Sequence, residues 1–107
     1  MGVVYLVDYT VDSSWLGLVK TFEGLLRSRL GRRFRRVIAR SGPEDTVYES
    51  NVLVVVDRVD VETIRIVAEA VGEAQRRAGV EGLNPMTIGE EEESTVEVFM
   101  WADGDPP

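Results

Sequence analysis

The chain of 107 residues contains no cysteine and no histidine, which limits the chemistry that it can perform. These absences exclude disulfide bonds, Cys/His zinc sites, Ser-His triads and haem ligation by either residue. The groups that remain for chemistry are carboxylates, hydroxyls, one lysine (Lys20), the arginines and the backbone. Because oxygen ligands suit hard cations, Mg²⁺ is the metal that this composition favours.

The elements that must position these groups are organised around five consecutive apolar residues, Val52–Val56, which stand between Asn51 and Asp57. Four of the five are β-branched, and β-branched side chains favour the extended chain. An unbroken apolar run indicates a strand that is buried on both faces, so we predict a central strand here. Residues 3–7 form a second such run and predict another inner strand.

Two segments have the apolar spacing of amphipathic helices. The first contains Trp15 and ends at Gly31. The second spans residues 61–78, between Asp60 as its N-cap and Gly79 as its stop signal. The stripe that the second helix is predicted to bury comprises Val61, Ile64, Val67, Ala68, Val71, Ala74 and Ala78.

Three further segments have weaker strand patterns. Residues 34–40 mix charged and apolar side chains, which is typical of an edge strand or of a strand with one wet face. Residues 83–88 contain Pro85, which suits only an edge strand. Residues 95–101, in which Val96, Glu97 and Val98 alternate apolar and polar side chains, predict a last strand.

The predicted element order is β-α-β-β-α-(β)-β, which gives a single α+β domain over residues 1–102 and a flexible tail over residues 103–107. The expected architecture is a two-layer sandwich, with two helices on one face of a mixed sheet of four to five strands. A ferredoxin-like arrangement would put the two most apolar strands in the middle of that sheet. Since its other face would be open, we expect a homodimer that packs through the sheet.

Residues 33–94 resemble the minimal nucleotidyltransferase family of the polymerase-beta superfamily. In that family a strand ends in a Gly-Ser turn, and after a variable loop the motif Ser-Asp-x-Asp leads into an apolar strand. An amphipathic helix, a Gly-Val turn, a short strand and an acidic segment follow. The corresponding segments here are residues 37–42, 48–57, 61–78, 79–80, 83–86 and 89–94. The resemblance implies a nucleotidyltransferase-like fold as the alternative to the ferredoxin-like one.

The resemblance also implies a site. In the family, two carboxylates two residues apart on a strand hold Mg²⁺ against a nucleotide triphosphate, and the Gly-Ser turn offers backbone N–H groups to the phosphates. A further carboxylate from a neighbouring strand completes the metal site. The positions that match are Glu49 and Asn51 for catalysis and metal, Glu97 as the added ligand if the last strand lies beside Asn51, and Ser41, Gly42 and Ser50 for the nucleotide.

The sequence departs from the family at these positions. Ser41-Gly42 reverses the Gly-Ser order. Aligned without gaps, the paired carboxylates become Glu49 and Asn51; with a two-residue shift, Ser50-Asn51 takes the Ser-Asp positions and the second Asp is missing. At most one carboxylate survives in either alignment. We therefore expect a weakly active or inactive nucleotidyltransferase-like domain that binds a nucleotide or a partner protein.

Two kinds of partner follow from these readings. Minimal nucleotidyltransferases often pair with a small helical protein, so the resemblance implies such a partner. The alternative function is a non-enzymatic ferredoxin-like interaction module that homodimerises through its sheet. A stable dimer indifferent to nucleotide and metal would favour this alternative, and a requirement for a divalent cation would favour the first.

Charge bears on the remaining classes of partner. The net charge of -7 argues against general nucleic-acid binding. Seven arginines nevertheless cluster between residues 27 and 40, where they could bind a triphosphate, RNA or an acidic partner, or form a solvated helix end and edge strand. No apolar run is long enough to span a membrane, so we expect a cytoplasmic protein. The excess of arginine over lysine and the lack of cysteine favour a thermophilic source.

Overall fold

The fold, known from a computed structural model, combines three helices with a mixed sheet, which confirms the predicted α+β class. The structure describes the backbone of residues 2–5 and 13–100 and the side chains of residues 14–100. The remainder of the predicted first strand, Trp101 and the predicted tail lie outside the described residues. In chain order the elements are β1 (Gly2–Tyr5), α1 (Ser13–Leu30), a 3₁₀ turn (Gly31–Arg33), β2 (Phe34–Ala39), β3 (Val52–Val56), α2 (Val61–Ala78), β4 (Pro85–Gly89) and α3 (Glu93–Met100).

The strands lie in the order β1-β2-β3-β4. β1 pairs parallel with β2, β2 antiparallel with β3, and β3 parallel with β4. All five residues of β3 are buried and the strand lies between two others, which confirms its predicted central position. β4 is the last strand in the order and begins with Pro85, so the prediction of an edge strand is confirmed as well.

Two other strands differ from the prediction. Residues 34–40 were predicted as an edge strand or a strand with one wet face; β2 lies between β1 and β3, so the edge alternative is wrong. β1 was predicted inside the sheet, yet it is the first strand in the order of the described strands. The pairing register of β2 with β3 shifts between Phe34 and Arg36. Arg35, at this irregularity, reaches Glu90 at 2.5 Å instead of pointing into the core. This strand order is not the ferredoxin-like one, which would put the first strand in the middle.

The helices α1 and α2 pack together on one face of the sheet, as predicted, over a core that includes Phe22, Leu26 and alternate residues of β2 and β3. The predicted apolar stripe of α2 is only partly buried. Val67 and Ala74 are buried, but Val61 and Ile64 are 85% and 48% exposed. The sheet ends at β4 within the described residues, so no further strand covers that side of α2.

The prediction of a strand over residues 95–101 is wrong, because residues 95–100 belong to α3. Val96 and Phe99 are three residues apart, a spacing that puts both on one side of a helix. They pack on the second face of the sheet, against Ile38, Leu53, Val55 and Ile88. The sheet therefore carries helices on both faces instead of forming the predicted two-layer sandwich. The open face on which the homodimer prediction was based is covered by α3.

The N-terminus of α2 has the cap that the sequence predicts. The Asp60 carboxylate accepts a hydrogen bond from the Thr63 N–H at 2.9 Å, and the Thr63 hydroxyl accepts one from the Asp60 N–H at 3.0 Å. Arg33 Nη2 also lies 2.9 Å from Asp60 Oδ2. The Thr63 N–H and the Arg33 guanidinium lower the pKa of Asp60 to about 2. At the other end, Gly79 stops the helix with a φ of 69°.

The substitution Asp60→Asn should flatten the acid dependence of stability. Asparagine keeps an N-cap oxygen but loses the charge that faces Arg33. Since the pKa of Asp60 lies below its ordinary value of 3.8, the ionised carboxylate stabilises the fold above about pH 4, and this stabilisation is lost as the pH falls towards about 2. Urea unfolding midpoints measured from neutral pH to about pH 2 should fall more steeply for the wild type than for the variant. Parallel curves would contradict this assignment.

Candidate functional site

The predicted site residues lie around the end of the sheet where β2 finishes and β3 and β4 begin. Trp15 of α1 fixes the end of β2, because its indole N–H donates to the Arg40 carbonyl at 2.9 Å. The Arg40 N–H donates to the Asn51 carbonyl at 2.9 Å, and this bond joins the end of β2 to the start of β3. Two loops, residues 41–50 and 79–84, meet at this end.

Asn51 makes hydrogen bonds to both loops, and it is only 1% exposed. Its Nδ2 donates to the Pro43 carbonyl at 3.0 Å and to the Gly82 carbonyl at 2.7 Å. Its Oδ1 accepts from the Asn84 N–H at 3.0 Å. The backbone N–H of Asn51 donates to the Asn84 carbonyl at 3.1 Å. The side chain thus joins β3 to both loops and has partners for both amide hydrogens.

This geometry does not suit a magnesium ligand. The amide nitrogen faces two carbonyls, Oδ1 is already an acceptor, and the residue brings no charge to balance a divalent cation. Glu49 is exposed, and within residues 14–100 no group of three or more acidic side chains could hold a metal ion. The donor set therefore does not fit Mg²⁺, and the assignment of Glu49 and Asn51 as its ligands stays a prediction.

Glu49 lies in a tight turn that the sequence does not reveal. Val47 and Ser50 exchange backbone hydrogen bonds of 2.8 and 2.9 Å around Tyr48 and Glu49. Both central residues have positive φ angles, 51° and 64°, as a type I′ turn requires. Such angles are unfavourable for residues with a Cβ. The Asn84 side chain donates to the Glu49 carbonyl, so the turn is also tied to the loop before β4.

The turn predicted to bind phosphate is filled by a carboxylate of the chain. Asp45 accepts from the Ser41 N–H at 3.1 Å, the Ser41 hydroxyl at 2.7 Å and Arg40 Nε at 3.2 Å. Its own N–H donates to the Gly42 carbonyl at 3.2 Å. Partial burial raises the pKa of Asp45, but the hydrogen bonds from Ser41 and Arg40 outweigh this effect and hold the pKa below its ordinary value.

The remaining predicted residues have separate surroundings. Ser50 is buried at the end of the tight turn. Glu97 is exposed on α3, not on a strand beside Asn51 as the prediction required. The structure thus joins Ser41, Gly42, Glu49, Ser50 and Asn51 through two loops, whereas no described hydrogen bond or ion pair links Glu97 to them.

Sequence reasoning missed Arg40 and Asp45. Arg40 is 2% exposed, donates from Nη1 to the Phe99 carbonyl at 2.5 Å and lies over the Phe99 ring. It therefore anchors α3 as well as Asp45. A usable signal was present, since Arg40 directly follows the apolar run of Val37, Ile38 and Ala39 and has an aspartate five residues later. Because Arg40 belongs to the arginine cluster, it was interpreted with the surface arginines and not as a buried residue.

Introducing a carboxylate at position 51 should destabilise the domain. Asn51→Asp would replace the Nδ2 group, with its two N–H donors, by one oxygen that faces two carbonyls, and it would bury a charge. We expect the free energy of unfolding to fall by about 3 kcal/mol or more. Chemical denaturation measures this loss, and Glu49→Gln, at an exposed neighbour, should change stability by no more than about 0.5 kcal/mol. If the Asp variant is as stable as the wild type, the hydrogen bonds of Asn51 do not stabilise this end of the sheet.

The tight turn predicts a stabilising change. The double variant Tyr48→Asn/Glu49→Gly supplies the residue pair preferred where both φ angles are positive. We expect it to raise the free energy of unfolding by about 1–2 kcal/mol. Glu44→Gly is the matched control, because Glu44 is exposed in the same loop and does not have a positive φ. The control should lower stability by about 0.5–1 kcal/mol, and the same sign for both variants would contradict the strain argument.

Comparison with known proteins adds no relative. The chain matches no protein-family model, no curated protein and no solved structure. The helices of the described residues include none that is long and apolar enough to cross a membrane. The nucleotidyltransferase resemblance therefore rests on the sequence pattern of residues 33–94 alone.

Proposed function

We propose that this chain is a nucleotidyltransferase-like domain without useful transfer activity, which works by binding a partner protein. The observation that carries the proposal is the engagement of Asn51, whose amide hydrogens are both bonded to backbone carbonyls. At the position where the resemblance requires a metal-binding carboxylate, this chain has a structural amide. The site is thus used to hold loops together.

The order of the elements supports the nucleotidyltransferase-like part of the proposal. β2 runs into the Ser41-Gly42 turn, and after a loop the segment that contains Asn51 leads directly into β3. α2, the turn at Gly79 and the short strand β4 follow. This is the succession that the family resemblance implies. A ferredoxin-like domain has the same succession up to β4, but the spatial strand order β1-β2-β3-β4 differs from the ferredoxin-like one.

The position of Asp45 opposes tight nucleotide binding. A triphosphate at the Ser41 turn would have to displace a carboxylate that already receives three hydrogen bonds. Two of those donors are the groups that the resemblance would offer to the phosphates, namely the N–H and the hydroxyl of Ser41. No divalent cation would offset the repulsion between the phosphate and Asp45. Replacing the Asp45 carboxylate with a phosphate at the Ser41 donors would therefore gain little binding free energy.

The position of α3 favours a partner that binds away from the faces of the sheet. α1 and α2 cover one face, and α3 packs on the other through Val96 and Phe99. A homodimer packed face to face through the sheet would have to displace α3. Binding surfaces are therefore expected at the ends and edges of the sheet.

Thermal unfolding with ATP, GTP, CTP and UTP, each with and without Mg²⁺, tests the proposal. A ligand present at about a hundred times its Kd would add about 2.7 kcal/mol, a shift of several degrees for a domain of this size. We expect no Mg²⁺-dependent shift at millimolar nucleotide, because the residues that would hold the metal and the phosphates already have other partners.

Two substitutions give the test a matched control. Glu49→Gln removes the carboxylate at the motif, and Glu44→Gln removes an exposed carboxylate from the same loop. A Mg²⁺-dependent shift that Glu49→Gln abolishes and Glu44→Gln preserves would overturn the proposal and identify a working nucleotide site. The absence of a nucleotide-dependent shift in the wild type and in both variants supports a domain that does not bind nucleotide.

A further inference from the structure

One edge of the sheet presents a strand without charged side chains. β4 is the last strand in the order of the described strands, so within that part of the chain only β3 pairs with it. None of its five residues, Pro85–Gly89, is charged, although 29% of the residues of the chain are. Edge strands usually avoid pairing with another chain by means of charges or bulges. Pro85 removes one N–H at the start of β4, and the four residues after it keep theirs, so this edge is open to pairing.

The helix beside this edge presents apolar side chains as well. A stripe along one side of α2 comprises Val61, Ile64, Ala68 and Val71. The residues are three, four and three positions apart, which is the spacing with which one helix packs against another. The first three are exposed and Val71 is half-buried, so the stripe is open to a further helix.

The stripe and the edge strand form one surface. Ile64, Ala68 and Val71 line a groove of about 380 Å³ together with Pro85 and Thr87 of β4. Thr87 is the pairing partner of Val54, which belongs to the core beneath α1 and α2, so the Thr87 side chain is on the same face of the sheet as α2. We call the residues of this groove, with Val61, the β4 edge surface.

The helix layer and the sheet both end at the β4 edge surface. Two helices about 10 Å across are about as wide as four strands that are about 4.8 Å apart. Since α1 and α2 pack on one face of the four described strands, the outer side of α2 lies next to β4. A second domain at this surface would therefore extend the sheet and the helix layer at the same time.

The β4 edge surface is complementary to itself. A two-fold axis perpendicular to the sheet would make two β4 strands antiparallel and place two α2 helices side by side. With the axis between Ile64 and Ala68, the larger side chain of each copy faces the smaller one of the other, and Val61 faces Val71 in the same way. The groove places Thr87, the middle residue of β4, with Ile64 and Ala68, so one axis serves both the strands and the helices.

We propose that the β4 edge surface is a homodimer interface, in which two copies of this chain pair their β4 strands antiparallel and pack their α2 stripes together. The described strands of both copies then form one continuous sheet. Unlike a dimer that packs face to face through the sheet, this dimer leaves α3 in place. The inference goes beyond the proposed function, because it concerns self-association at one edge and leaves the other surfaces for a different protein.

The size of the surface suits a dimer of moderate affinity. The 18 residues of α2 are about 27 Å long, and a helix layer and a sheet layer together are about 20 Å high. The flat area is therefore about 540 Å² per copy, and a specific interface needs about 500 Å² per copy. Because this size is at the small end of the range, we expect a dissociation constant of about 1–10 µM.

The acidic character of the chain does not prevent this contact. The charged residues next to the stripe, Arg65 and Glu69, have opposite signs and pair with each other at 3.4 Å. At physiological ionic strength, charges farther than about 8 Å apart are largely screened. The net charge of -7 on each copy therefore causes little repulsion at the β4 edge surface.

Sedimentation velocity of the full chain tests the proposal. The wild type should be a dimer of 11.9 kDa chains at about 100 µM and a monomer at about 0.1 µM. Ile64→Glu should weaken dimerisation by about thirtyfold or more, because it puts a charge into an apolar contact twice in each dimer. Val61→Glu should weaken it as well, and this variant keeps the monomer folded because the side chain is exposed and an acidic residue suits the first turn of a helix.

The matched control is Val98→Glu, which makes the same change in net charge at an exposed valine of α3. Its dissociation constant should stay within about twofold of the wild-type value, since the added charge lies away from the contact. Equal losses in Ile64→Glu and Val98→Glu would overturn the proposal. A wild type that stays monomeric at about 100 µM would also overturn it and would leave the β4 edge surface to a strand of another protein.

A mixture of two variants tests the two-fold arrangement itself. Ala68→Lys alone should prevent dimerisation, as Ile64→Glu does. Mixed together, the two variants should form a heterodimer, because the introduced carboxylate of one chain faces the introduced ammonium of the other, and the native contact of Ile64 with Ala68 remains on the second side of the axis. A mixture that stays monomeric would overturn the proposed pairing.

Discussion

The burial of the Asn51 amide is the constraint on which the functional end of this fold depends. A buried N–H without a partner costs about 1–3 kcal/mol, so the chain must bring acceptors to both hydrogens of Nδ2. It does so with carbonyls from two loops that are far apart in sequence, at Pro43 and Gly82, and Oδ1 holds Asn84 in turn. One side chain therefore sets how the loop after β2 and the loop before β4 approach β3.

This constraint is incompatible with the chemistry that the family resemblance implies. A metal site needs negatively charged oxygens that face an open space, whereas Asn51 presents N–H groups to carbonyls in a closed one. The resemblance also implies that Ser41 donates hydrogen bonds to a phosphate. In this structure the Ser41 N–H and hydroxyl donate to the Asp45 carboxylate instead. At both positions the polar groups bond to the chain itself, so they hold the two loops together.

Local signals account for what could be predicted from the sequence. The five apolar residues of β3 and the Asp60 and Gly79 caps of α2 depend on neighbouring residues, and these elements were predicted at their observed positions. The errors involve distant partners. The alternation of Val96, Glu97 and Val98 fits a strand, whereas the spacing of Val96 and Phe99 fits a helix, and the apolar second face of the sheet selects the helix. The inner position of β2 and the roles of Arg40, Asp45 and Asn51 likewise depend on contacts with distant residues.

The two ends of the sheet differ in what a ligand would have to disrupt. At the Asn51 end the polar groups already bond to one another, so a ligand must break internal hydrogen bonds and gains only the difference. At the opposite end the side chains of Arg29 and Arg32 are exposed and have no described hydrogen bond or ion pair. A ligand that contacts these two side chains would break no described hydrogen bond of theirs. The arrangement of polar groups therefore makes ligand binding less costly at the end of the sheet opposite Asn51.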